Sequence, residues 1–279
     1  MLNPMLIVLI VLCGGLAGGF IGALTGLGGG MVIVPLLTLV LHMPVPEAVG
    51  ISLFGIIATS TGAATRFVGT GLSNMRVGLF LQMAASSGAL AGAVIAHHLS
   101  SRFLFVLFGV VLGYSAIMSF VPKHADLVGA DHDSSLARRL RLASRYEQNG
   151  VWTEYYVINV IPGFIIMVGA GLLSALLGIG SGAFKVLAMD RFMRLPFRVS
   201  TATSNFMIGV TAATSAGYYL SHGDVSPVLA GAVILGMLVG SYLGGHLVRS
   251  LPVPLLRRIF GAVLLLVALQ MLLKGAFNL

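Results

Sequence analysis

Gly26-Leu27-Gly28-Gly29-Gly30-Met31 and Gly178-Ile179-Gly180-Ser181-Gly182-Ala183 stand 152 residues apart, each between a long apolar run and a short one. The long runs, at 4–25 and 155–177, have the ~20 apolar residues a bilayer crossing needs. The short runs, at 30–42 and 182–193, reach only about 20 Å as helices at ~1.5 Å per residue. The hydrocarbon core is about 30 Å thick. Each long–short pair therefore reads as a helix broken inside a membrane, or as two helices joined at depth.

The same offset carries outward from the glycines. Pro44 falls on Pro196, Ser52 on Ser204, Phe54 on Phe206, Thr59 on Thr211, Gly71 on Gly223, Gly88 on Gly240, Gly92 on Gly244 and Phe108-Gly109 on Phe260-Gly261, without a gap. Further helices are expected at 46–65, 76–97 and 103–121, then at 197–220, 226–247 and 254–274. Eight of the ten segments are long enough to cross. Between the two sets lies one polar stretch, 122–154, with Lys123, Asp126, Asp131, Asp133, Arg138, Arg139, Arg141, Arg145, Glu147 and Glu154. It reads as a solvated linker in which Ser134–Arg145 forms a short surface helix. The organisation expected is a first transmembrane repeat over 1–121, a cytoplasmic linker over 122–154 and a second repeat over 155–279.

Composition agrees. Of 279 residues, 57% are hydrophobic and 9% charged, and mean hydropathy is +1.01. A soluble domain carries about 25% charged residues. Soluble enzymes, nucleic-acid-binding domains and disordered chains are excluded. A transmembrane barrel would alternate polar and apolar residues over segments of about 10 residues, and the apolar runs here are unbroken. No Lys or Arg precedes Arg66, so the N-terminal run reads as a retained span, not a cleaved signal. The single Cys13 forms no intramolecular disulfide.

The net charge of +8 sets orientation. With the linker in the cytoplasm, thirteen of the sixteen basic residues fall on that side, leaving Arg102 and Lys274 outside and Lys185 within a short helix. Both termini then face outward. Five segments per half is odd, so the halves are inverted, and counting each broken pair as a re-entrant hairpin leaves three, also odd. The fold class is an all-α polytopic membrane protein: two inverted repeats of about five helical segments each, with a short broken helix after each Gly-rich cluster. Secondary transporters of this architecture bind substrate near the midplane, where the repeats meet.

The chemistry sits around the clusters. Irregular backbone at membrane depth is tolerated against protein or a water-filled cavity. Gly28, Gly29 and Gly30, and Gly180, Ser181 and Gly182, present unpaired N–H groups at the positive ends of two short helices, a place for an anion. Neither is a nucleotide loop, since both lack the last glycine of G-x-G-x-x-G and the Gly-Lys-Ser/Thr of a P-loop. Helix packing is the plainer use of such glycines. Lys185, three residues after Gly182, is a cation in an apolar segment whose repeat mate is Ile33. It reads as a partner for an anionic substrate, with snorkelling or pairing to Asp190 as the alternative. Ser200-Thr201-Ala202-Thr203-Ser204-Asn205, with Ser52 in the matching stretch and Thr59, Ser60 and Thr61 beyond it, supplies hydroxyls and an amide. Such groups also serve helix packing. Thr203, Ser204, Asn205 and Ser52 are the ones assigned to the site.

The seven histidines form no metal-binding spacing, and no metal or cofactor is expected. Ser181 as a nucleophile lacks a placed base, and Ile179 breaks the G-x-S-x-G elbow. Gly88/Gly92 and Gly236/Gly240/Gly244 read as helix-packing faces.

Thr25-Gly-Leu-Gly-Gly-Gly-Met-Val-Ile-Val-Pro35, Pro44–Ser52, Gly178-Ile-Gly-Ser-Gly182, Lys185 and Ser200–Phe206 together resemble the sulfite exporter TauE/SafE family of bacterial inner-membrane permeases. The resemblance spans the chain outside 122–154. It implies movement of sulfur oxyanions or organosulfonates such as sulfite or sulfoacetate across a bacterial inner membrane. The expectation is a permease exporting a small anion by alternating access. A passive anion channel with the same lining and a non-transporting scaffold are the other classes. The partners expected are a small anion and the lipid bilayer, with a homodimer left open and no nucleic acid.

Overall fold

A computed structural model describes residues 4–25, 28–67, 72–96, 98–120, 134–148, 151–178, 180–223, 225–250 and 253–277. Gly26, Gly71, His97, Lys123, Asp126, Asp131, Asp133 and Ile179, named above, lie outside them. In the first half, α1 (Pro4–Thr25) is followed by α2 (Gly30–Pro35), α3 (Val45–Phe67), α4 (Met75–Ala96) and α5 (Ser101–Phe120). In the second, α7 (Val160–Leu177) is followed by α8 (Gly182–Leu187), α9 (Phe197–Ser221), α10 (Pro227–Ser250) and α11 (Val253–Phe277). The protein is an all-α multi-pass membrane protein. Five described helices, α1, α3, α4, α7 and α10, are long and apolar enough to cross a bilayer, where the apolar runs alone led to eight. Helix α9 has the length, 25 residues, but is polar along much of one side, and that side is buried.

The repeat is written into the backbone. Gly28 and its mate Gly180 have φ of 84° and 75°, Gly29 and Ser181 have 76° and 51°, and His42 and Arg194 have 52° and 60°. Each short helix runs six residues and continues as a π-helical turn, Leu36–Val40 in one half and Ala188–Phe192 in the other. Pro35 is matched by Leu187, so the proline does not cause that turn.

Helices pack across the halves through small residues. Helix α1 lies along α10 and α7 along α4, while α3 packs on α10 and α9, α4 on α9, and α5 on α11. A Cβ at Gly236, Gly240 or Gly244 would overlap the carbonyl oxygen of Leu12, Leu16 or Phe20, so α10 and α1 run parallel. At Gly88 and Gly92 it would overlap Val168 and Leu172 carbonyls, so α4 and α7 run parallel too. These are the packing faces expected from sequence. Arg102 Nε donates to Gly275 O at 3.1 Å, and Gly109 lies against Leu272 and Gly261 against Phe120, so α5 and α11 are antiparallel.

The linker departs from expectation. The helix α6 is only Ser135–Arg139, capped by Ser134 Oγ accepting from Ala137 N, and an antiparallel hairpin follows, β1 (Ser144–Gln148) on β2 (Val151–Tyr155). The strand period of two turns Tyr146 and Tyr155 inward and leaves Arg145 outside, its guanidinium 5.3 Å from the Trp152 ring. Consequently α7 starts at Val160, not 155. The hairpin is docked, not solvated: Asn74 Nδ2 donates to Leu142 O and Tyr155 Oη, both at 2.8 Å, and Ile158 N donates to Met193 O at 3.3 Å. Burial pushes the Tyr155 phenol up to about 12.

Candidate functional site

The two glycine turns meet at the centre of the bundle. Ser52 Oγ on α3 donates to Gly178 O at 2.6 Å. A Cβ at Gly30 would overlap that carbonyl oxygen and lie 2.7 Å from both Ser52 Oγ and Ile56 Cδ1. Gly180 faces Ile56 and Ile208, and Gly29 backs onto the Gly18 carbonyl of α1. The close approach requires glycine at position 30, because any side chain would displace the opposite turn. Glycine is also suited to the left-handed backbone at 28, 29 and 180.

Ser181 occupies the same left-handed conformation with a side chain attached. L-residues pay strain there, on the order of 1 kcal/mol. Its hydroxyl is buried and has no partner among the described residues. The same holds for Ser174 Oγ, Ser200 Oγ, Thr201 Oγ1 and Asn205 Oδ1. An unsatisfied buried polar group costs about 1–3 kcal/mol, so each of these atoms has room for a bond to a ligand or water.

The polar run on α9 divides. Asn205 Nδ2 donates to Ala23 O of α1 at 3.2 Å, and the Asn205 backbone carbonyl accepts from Ser60 Oγ at 2.6 Å. Ser204 Oγ lies 3.5 Å from Gly182 O. Thr203 points elsewhere: its Oγ1 accepts from Asn74 N at 3.0 Å, at the hairpin end. Among the assigned residues, Ser52, Ser204 and Asn205 thus gather at the glycine turns, and Thr203 belongs to the docking of α4.

Lys185 is fully buried, so it does not snorkel. Its Nζ meets Thr211 Oγ1 at 2.5 Å, not Asp190. Gln82 Nε2 donates to Thr211 Oγ1 at 3.1 Å and to Ser86 Oγ at 2.7 Å. Thr211 Oγ1 also bonds Met207 O at 3.0 Å. The Lys185 amine at depth thus faces hydroxyls and an amide. Gln82 and Thr211 were not assigned to the site from sequence, although an amide inside an apolar helix is the signal that points to such a position. Ser52, Ser181, Lys185, Thr203, Ser204 and Asn205 are all closed off from solvent. Among the described residues, no three His, Cys, Asp or Glu side chains come together to hold a metal.

The family model described as sulfite exporter TauE/SafE matches residues 10–271. The chain is 28% identical over 280 residues to a probable membrane transporter protein, YunE, of Bacillus subtilis, covering 98% of this chain and 99% of that one. It is 29% identical over 248 residues to a second from the same organism, YdhB, covering 89% and 91%. A probable membrane transporter protein of Methanocaldococcus jannaschii, MJ0441, is 26% identical over 290 residues, covering 98% and 96%. No solved structure matches.

Proposed function

Because this chain belongs to the sulfite exporter TauE/SafE family, we propose that it is a secondary transporter of the bacterial inner membrane. It exports a small anion, a sulfur oxyanion or organosulfonate such as sulfite or sulfoacetate, by alternating access. The observation that carries the reading is Lys185, whose amine is buried in the bundle against Thr211, itself bonded to Gln82, and would carry its charge opposite a bound anion. A buried charge without a countercharge is costly, and a bound anion supplies one. The unpaired hydroxyl of Ser181 and the second Nδ2–H of Asn205, beside the one given to Ala23 O, with backbone N–H groups at Gly28–Gly30 and Gly180–Gly182, complete a donor-rich shell for an oxyanion.

An inverted relation between the two halves would suit alternating access, and the pairing of the helices supports that reading. Exchanging the halves turns the α1–α10 pair into the α7–α4 pair, and leaves α5–α11 and α3–α9 as themselves. Two helices related by a twofold axis and running antiparallel, as α5 and α11 do, require that axis to lie across them, in the membrane plane. The positive-inside rule puts the hairpin in the cytoplasm with both termini outside. Expelling an anion from a cell with a negative interior is then downhill by about 2.3 kcal/mol per charge per 100 mV.

Efflux from proteoliposomes tests this. Sulfite and sulfoacetate, against acetate and malonate, give saturable flux in the wild type, falling at least tenfold in Lys185→Gln if the lost ion pair is worth about 1.4 kcal/mol or more. Equal flux of sulfonate and carboxylate, or an unchanged mutant at equal reconstitution, refutes it. Unitary currents would replace the carrier with a channel.

A further inference from the structure

The surroundings of Lys185 extend in one direction only. From Thr211, hydrogen bonds pass to Gln82 and on to Ser86, and Thr214 Oγ1 lies 3.4 Å from Ser86 Oγ. Gln82 and Ser86 are four apart on α4, and Thr211, Thr214, Tyr218 and His222 follow at three- and four-residue steps on α9, which places each set on one helix face. Burial falls along this line. Lys185 and Thr211 are fully enclosed, Gln82 is 7% exposed, Ser86 and Thr214 are half-buried, and His222 is exposed where α9 ends, away from the hairpin. A Cβ at Gly217, beside the line, would meet nothing within 4 Å.

The repeat provides an internal control. The mates of Lys185, Thr211, Gln82, Ser86 and Thr214 are Ile33, Thr59, Ile234, Leu238 and Gly62. In that seam Thr59, like Thr211 with Met207 O, bonds a carbonyl of its own helix, Gly55 O at 3.2 Å. Gly55 is pressed against Met237 and Val233, and a Cβ at Gly62 would overlap Ser241 Oγ. One seam carries an amide and hydroxyls bonded across it; its mate carries Ile234 and an exposed Leu238 at the matching positions and is close-packed at Gly55 and Gly62. Hydroxyls and amides half-exposed midway along spanning helices are favoured where they line water.

We propose that the seam between α4 and α9 is the aqueous route between Lys185 and the end of the bundle away from the hairpin. Gln82, Ser86, Thr211 and Thr214 line it, and the mirrored seam between α10 and α3, with Ile234, Leu238 and Gly62 at the matching positions, offers water no such lining. The cargo assigned to this route, a sulfur-containing anion, rests on the function proposed above; the route itself rests on the asymmetry of the seams.

The single cysteine makes the test direct. In a Cys13→Ser background, Ser86→Cys, Thr214→Cys and, in the mirrored seam, Leu238→Cys are exposed to 2-sulfonatoethyl methanethiosulfonate in intact proteoliposomes. The thiolate displaces methanesulfinate and keeps the sulfonatoethylthio group as a mixed disulfide. Because the thiolate forms only where water reaches it, Ser86→Cys and Thr214→Cys react at least about tenfold faster than Leu238→Cys, and labelled protein no longer transports. Rates no faster than that of Leu238→Cys overturn the route. Adding Lys185→Gln to Ser86→Cys lowers the preference for this anionic reagent over its cationic trimethylammonium analogue. Fast labelling with that preference unchanged would overturn the function assigned to Lys185 and leave the route standing.

Discussion

A single methyl group at Gly30 is the sharpest perturbation of the central contact. In Gly30→Ala the new carbon overlaps the Gly178 carbonyl oxygen and sits 2.7 Å from Ser52 Oγ, the donor to that oxygen at 2.6 Å. Neither neighbour is the free end of a flexible chain: one is backbone and the other is held by it. Overpacking costs about 1–3 kcal/mol, and separating Ser52 from Gly178 leaves a buried acceptor unpaired for about 1–3 kcal/mol more. Together these come to about 2–6 kcal/mol. At roughly 2–4 °C per kcal/mol for a chain near this size, the detergent-solubilised protein loses about 4–24 °C of thermal midpoint by circular dichroism. Gly217→Ala is the matched control. It places a methyl in empty space and gains about 0.5–1 kcal/mol from the glycine removed from a helix. If Gly30→Ala melts with the wild type, or Gly217→Ala falls as far, the glycine turns do not meet as described.

Ser181→Gly relieves a left-handed residue and removes an unpartnered buried hydroxyl, so it raises stability by about 1 kcal/mol while weakening anion binding; lower stability, or unaltered affinity, contradicts this. Asn74→Ala takes away the α4 cap, in which Oδ1 accepts from Val77 N at 3.1 Å, and both bonds to the hairpin. It costs about 1–3 kcal/mol and speeds tryptic cleavage at Arg145 with helix content intact; unchanged cleavage shows that the hairpin is held otherwise. Tyr155, raised by burial from 10.0 to about 12, contributes docking stability that is complete below pH 10 and is lost as pH rises through 12. In an ultraviolet difference titration Tyr155→Phe removes a phenolate that forms near pH 12; coincident curves there count against the docking.

Apolar length and glycine position made the helices legible, because a bilayer forces long unbroken runs and punishes irregular backbone everywhere but at a protein-lined break. The offset of the two glycine clusters carried the repeat, down to the left-handed residues at 28/180 and 29/181. The hairpin went unread for a physical reason. Asn149-Gly150 between Gln148 and Val151 is a strong hairpin signal, but the arginines around it read as a surface helix. Alternation of Tyr146 with Arg145 and Glu147 was the discriminating pattern. Lys185 and Asn205 were legible as costly residues at depth. Their neighbours were not, since Gln82 and Thr211 come 129 residues apart and meet only through the packing of α4 on α9. Thr203 sits one position from Ser204 but turns to another face, which run composition does not resolve.

Anion-induced stabilisation of the purified protein tests the central claim most directly, because a ligand that binds only the folded state raises its melting temperature as concentration passes the dissociation constant. Sulfite, sulfate, thiosulfate, sulfoacetate, taurine and matched carboxylates are titrated against the wild type and Lys185→Gln. A shift selective for sulfite or sulfonates, absent in Lys185→Gln, is the expected result. A shift of the same size in both proteins would contradict the role of Lys185 as the anion's charge partner.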